Sequence, residues 1–178
     1  QDRDAELGAE PEDVEVSKAD EGISPQLIRA ISNSSGHAII VGAGPIGQTL
    51  ANALLAAERS VCVVDFNPVN LQAFSQNDVP TVSGDGADPE ILRRAGIGYA
   101  HVVFVTIPRD ELSIDVVKTV RGLNPTAEIA ARTRYRANIP ILKRAGAALV
   151  LCEENSIAED MLQIVMEHLD PQPSPAVS

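Results

Sequence analysis

Three glycines spaced G-x-G-x-x-G, namely Gly42, Gly44 and Gly47, end an apolar run and open a helical one in HAIIVGAGPIGQTLANALL. A loop of this kind is suited to cradle phosphate. Gly42 permits the tight turn, Gly44 lets an anion approach bare backbone, and Gly47 lets the helix pack against the strand. The start of the helix adds free N–H groups and the positive end of its dipole. Pro45 has no N–H to offer but suits the first helical turn, and Ile46 keeps its donor. Asp65 closes SVCVVD 18 residues beyond Gly47. A carboxylate there can accept hydrogen bonds from ribose hydroxyls and repel a 2′-phosphate, or it can cap the run that begins near Pro68. Asn67 stands beside it.

Further on, GDGADPEILRRAGI contributes Gly84, Asp85 and Gly86. Asp85 can accept from an adenine amino group or serve as a helix cap, although Asp88, followed by Pro89, is the better cap. Thr106 and Arg132 each end a later apolar run. The guanidinium can pair with phosphate or with a carboxylate of another subunit.

These residues need a scaffold that brings them to one edge, and the rest of the chain describes one. Apolar, strand-like runs (HAIIV, SVCVVD, VPTVSGD, HVVFVTI, AEIAAR and ALVLC) alternate with helical ones. The helical runs are PIGQTLANALLAAE, PVNLQAFSQN, DPEILRRAG, RDELSIDVVKTVRG, residues 137–145 and ENSIAEDMLQIVMEHL. Six near-continuous apolar strands separated by helices predict a Rossmann-like, doubly wound parallel sheet covered on both faces. Ligands of such sheets sit at the carboxyl ends of the strands, where all the candidate residues fall. The division expected is an acidic disordered linker over 1–23, a short helix and linker over 24–35 with Ser24 as cap, a folded domain over 36–170 and a loose tail over 171–178.

Of 178 residues 44% are hydrophobic, enough for one domain with a core. The net charge is −11, and residues 1–21 hold nine acids against Arg3 and Lys18. An acidic chain with no Trp, three Phe and two Tyr is a poor partner for nucleic acid. Cys62 and Cys152 lie in apolar runs and read as buried, reduced thiols. No apolar run approaches the roughly 20 residues of a membrane span. Metal-ligand spacing is absent, so no metal is expected. His37, His101 and His168 fall away from the ligand edge, with no nucleophile–base set or second domain to carry substrate. The expectation is a site that binds a nucleotide and does not transform it. The weighed alternative is a small NAD-dependent oxidoreductase or redox sensor.

The ordered series GAGPIG, VVDFNPVN, VSGDGADPEILRRAGI, VVFVTIPRDE, VRGLNPTAEIAARTRY and LKRAGAALVLCEE resembles the TrkA-N, or RCK N-terminal, domain. The likeness is greatest to the version at the cytosolic end of Kef-type monovalent cation/proton antiporters. One departure is Pro45, where many members carry Arg. The resemblance implies a non-enzymatic regulatory domain that binds NAD(H), AMP, ADP or ATP and gates a potassium or sodium/proton antiporter. It also implies a homodimer at the cytoplasmic face of the cell membrane, with the transmembrane part N-terminal to residue 1. In the last helix Ile157, Met161, Ile164, Val165 and Leu169 form one apolar stripe, broadened by Leu162 and Met166. Part of that stripe is expected to cover the edge of its own sheet and the rest to meet a second copy.

Overall fold

A computed structural model describes residues 23–33 and 35–168. Residues 1–22 of the expected acidic linker, Leu169, Asp170 and the loose tail therefore lie outside the described residues, whereas Ile23, expected to end the linker, is described and packs partly buried against the core. The order of elements is α1 (Pro25–Ser32), β1 (His37–Val41), α2 (Pro45–Ala56), β2 (Ser60–Asp65), α3 (Gln72–Ser75), β3 (Thr81–Ser83), α4 (Pro89–Arg94), β4 (Ala100–Val105), α5 (Asp110–Leu123), β5 (Glu128–Thr133), α6 (Ile139–Ala145), β6 (Leu149–Cys152) and α7 (Glu153–His168).

The six strands form one parallel sheet in the order β3-β2-β1-β4-β5-β6. The chain begins at the centre with β1, works outward to β3, then returns to pair β4 on the other side of β1. Alternate side chains of each strand face opposite layers. Ile40, Val61 and Val63 pack with Leu27 of α1, Ala51 of α2 and Phe74 of α3. Ile39, Cys62, Val64 and Val103 pack with Leu92 of α4, Val116 and Val120 of α5 and Leu142 of α6. Burial on both faces explains why these strands read as unbroken apolar runs rather than alternating ones. It also encloses both thiols, which are free and buried.

Local chemistry sets the ends. Ser24 accepts from Leu27 N and Asp88 from Glu90 N, each with proline at the first helical position. Three elements differ from the sequence expectation. β3 is three residues, not seven: Pro80 has no ladder donor, and Gly84, at φ +153°, turns the chain away. The helix expected over 68–77 is a 3-10 turn, Pro68–Leu71, followed by one α turn.

The third difference concerns α7. None of its residues is buried, and from Ser156 to His168 every one is exposed. The expected stripe therefore does not cover the edge of its own sheet. β6 passes into α7 without a loop, and two carboxylates at the junction hold its first turn to the end of β5. Glu153 pairs with Arg132, and Glu154 accepts from Arg136 N. Past that root the helix stands clear of the body. Ile157, Met161, Leu162, Ile164, Val165 and Met166 are each 52–64% exposed.

Candidate functional site

The switch from leftward to rightward winding separates the loop after β1 from the loop after β4, and a cleft of about 620 Å³ opens there. Ten of the twelve residues singled out in the sequence line it: Gly42, Gly44, Pro45, Ile46, Asp65, Gly84, Asp85, Gly86, Thr106 and Arg132. The other two do not. Gly47 lies beneath the loop, and Asn67 turns its side chain onto Val69 N as the cap of the 3-10 turn.

The glycine loop follows from close approach. Gly42 sits at φ +112°, a region that L side chains avoid. A Cβ on Gly47 would stand 1.8 Å from Gly42 O, so the first turn of α2 can pass under the loop only as glycine. At Gly44 an added Cβ would meet nothing within 4 Å, so the bare backbone faces open cleft. Gly44 is the N-cap of the 12-residue helix α2 and makes no side-chain capping bond. The opening N–H groups of α2, less that of Pro45, are thus presented to the cleft with the positive end of the helix dipole.

Asp65 has a fuller role than its spacing suggested. Its Oδ2 accepts from Ala43 N at 2.7 Å, and its Oδ1 accepts from Asn67 N at 2.7 Å and Asn70 Nδ2 at 3.2 Å. It ties the glycine loop to the turn after β2 while remaining half-exposed in the cleft. A carboxylate has about four acceptor positions, so these bonds leave one free for a ribose hydroxyl. The cap of the run at Pro68 is Asn67, not Asp65. Asp85 accepts from Ala87 N, and Asp88 caps α4.

On the opposite wall Thr106 Oγ1 donates to Gly42 O at 2.9 Å, clamping the loop to the end of β4. Arg132 donates through Nη1 to Thr106 O at 3.3 Å and pairs with Glu153. The partner of this guanidinium is therefore a carboxylate of its own chain, whereas the sequence reading considered phosphate or another subunit. Glu153 lies 21 residues away with no periodic relation to Arg132, so no local pattern announces the pair.

Eight further lining residues escaped the sequence reading, Phe66, Arg109 and Leu112 among them. Phe66 is 79% exposed next to Asp65, and Arg109 and Leu112 come from the start of α5. Asp110, buried at the first position of α5, accepts from Thr133 Oγ1, Arg134 N, Tyr135 N and Asn138 Nδ2. Burial acts to raise its pKa, but these four bonds outweigh that and hold it below the ordinary carboxylate value. It fixes the end of β5, and hence Arg132, against α5.

His37 is spent on structure, bonding Ser60 Oγ and Ala95 O beneath Tyr99. Among the described residues no group of three His, Cys, Asp or Glu could hold a metal ion, and no helix is long and apolar enough to cross a membrane. A second, shallower cleft of about 490 Å³ lies at the opposite pole, bordered by Arg29, Tyr99, His101 and Glu128.

The model of the family described as the TrkA-N domain matches residues 38–153. The chain is 30% identical over 129 residues to a putative cation/proton antiporter, YbaL, of Escherichia coli K12, covering 72% of this chain and 23% of that protein. Among solved structures, the TrkA-N domain of the E. coli inner membrane protein ybaL matches at 29% identity and a TM-score of 0.70. The match covers 75% of this chain and 98% of that one. GsuK bound to ADP matches at 26% identity and a TM-score of 0.59, over 67% of this chain and 32% of that one. The chain spans less than a quarter of the curated antiporter it matches.

Proposed function

This chain belongs to the TrkA-N domain family, and from that premise we propose that it is a nucleotide-responsive regulatory domain of a Kef-type potassium or sodium/proton antiporter. An adenine nucleotide, NAD(H) or AMP, ADP or ATP, occupies the switch-point cleft. Its phosphates lie over Gly44, Pro45 and Ile46, and its ribose hydroxyls donate to Asp65. The observation that carries this reading is the bare backbone of Gly44 at the start of α2, with the Asp65 carboxylate bonded to the same loop. The ADP-bound relative supports the ligand class.

The domain performs no catalysis. Its cleft-lining groups bind and orient a nucleotide, and nothing placed among them acts as a nucleophile–base pair. The antiporter's membrane part precedes this domain, which works at the cytoplasmic face. A nucleotide that binds two domain arrangements unequally shifts the balance between them, and with it transport.

The domain pairs with a second copy through α7. Six large apolar side chains more than half exposed on one helix are a surface that water disfavours by roughly 1 kcal/mol or more each. Two-fold pairing places the same stripe on both partners. Light scattering at tens of micromolar should give twice the chain mass, and Ile164→Glu should return a folded monomer. A wild type that stays monomeric with and without nucleotide refutes the pairing. Calorimetry with AMP, ADP, ATP, NAD and NADH tests the ligand. At least one should bind, and silence from all five at millimolar concentration refutes the assignment.

A further inference from the structure

Arg132 belongs to two structures at once. It lines the nucleotide cleft, and it holds Glu153, the first residue of the exposed helix α7. Its Nη1 also touches Thr106 O, whose own hydroxyl holds Gly42 O of the glycine loop. Few other contacts root α7: Glu154 on Arg136 N, Glu154 N on Arg134 O, and Ser156 Oγ on Cys152 O. The orientation of a helix that stands clear of the body beyond its root therefore rests in part on one guanidinium at the edge of the ligand site.

We propose that Arg132 is a shared cation for which Glu153 and an anionic ligand compete. This rests on the nucleotide reading above. With the cleft empty, Glu153 takes the guanidinium and the root of α7 is latched to β5. A nucleotide that extends past the glycine loop, carrying a second phosphoryl group or a second nucleoside, brings negative charge to Arg132 and draws it from Glu153. The first turn of α7 is then released, and the exposed stripe it carries changes its angle to the body. The ligand class selected is a nucleoside diphosphate, triphosphate or dinucleotide. A monophosphate, whose charge ends at the start of α2, leaves the latch closed. Because coupling between two sites is reciprocal, loosening the latch must strengthen binding of the ligand that opens it.

The test is calorimetry of the whole chain with ADP, and with AMP as the short control, for wild type, Glu153→Gln and Arg132→Gln. Amide hydrogen exchange is followed over residues 153–160. Glu153→Gln should tighten ADP about three- to tenfold and leave AMP within about twofold. ADP should raise exchange over 153–160 in the wild type, AMP should not, and Arg132→Gln should weaken ADP binding and abolish the rise. Removing a repelling carboxylate would also tighten ADP without moving a helix, so tightening with no ADP-dependent exchange overturns the latch. Unchanged ADP affinity in Glu153→Gln overturns it as well. In both cases wild-type binding leaves the nucleotide reading standing. A wild type that binds none of ADP, AMP, ATP, NAD and NADH overturns the two together.

Discussion

Replacing Asp65 with alanine should damage folding and binding by separable amounts. In the fold, the carboxylate is the acceptor for two backbone donors at 2.7 Å, Ala43 N and Asn67 N, and for Asn70 Nδ2 at 3.2 Å. Bonds to an ionised acceptor contribute about 1.5–3 kcal/mol each where water is excluded. Here Asn67 is exposed and Ala43 N borders the cleft, so water recovers part of the loss. The net destabilisation should be about 2–3 kcal/mol. Binding loses the ribose contact as well, about 1–3 kcal/mol, or roughly 5- to 150-fold in dissociation constant. Removing the negative charge should also narrow the preference for NAD over NADP, because the 2′-phosphate is no longer repelled. Urea unfolding reports the first quantity, and calorimetry at a temperature where both proteins are folded reports the second. A folded variant that binds NAD as tightly as wild type, with its discrimination against NADP intact, would refute the role given to Asp65.

Other consequences follow from single contacts. Gly47→Ala puts a methyl group 1.8 Å from Gly42 O and should cost about 3 kcal/mol, read as a lowered urea midpoint with the slope unchanged. Asp110→Ala removes the acceptor of four bonds and should cost about 2–4 kcal/mol in the same assay. In the wild type the folded pKa of Asp110 is depressed, so its contribution is present above the unfolded value of about 3.9 and fades as pH falls below it. The alanine variant should lose that part of the acid sensitivity. Burial pushes the Cys62 thiol up to about 11, so iodoacetamide should leave it unmodified at pH 8 in the folded chain. Above about pH 8.5 the unfolded state releases this proton first, so stability should decline with rising pH until about 11, and Cys62→Ala should flatten the decline.

Much of this fold is written in period. The alternation of apolar strands and helices specifies a parallel sheet, and burial on both faces is why the strands are solid in Val, Ile and Ala. The glycine loop is legible for a similar reason: Gly42 and Gly47 are each forced by backbone geometry that only glycine meets, so composition reveals conformation. The contacts that cross the sheet edge are different. Arg132 and Glu153, or Asp110 and Asn138, meet because separate loops end at one pole, and their spacing in the chain carries no trace of it. The stripe on α7 shows a third kind of limit. Helical spacing says that one face is apolar, but a face covered by its own sheet and one left for a partner have the same sequence. Asp65 shows a fourth, since a carboxylate has enough lone pairs to brace a loop and still receive a ligand.

The claim that an adenine nucleotide occupies the switch-point cleft is tested most directly by titrating the isotope-labelled chain with NAD and with ADP while recording backbone amide resonances. The account predicts the largest shifts at Gly42, Gly44, Ile46 and Gly86, with Arg29, Tyr99 and His101 at the opposite pole undisturbed. Amides that do not move at millimolar nucleotide, or shifts gathered around Arg29 and His101, would contradict it.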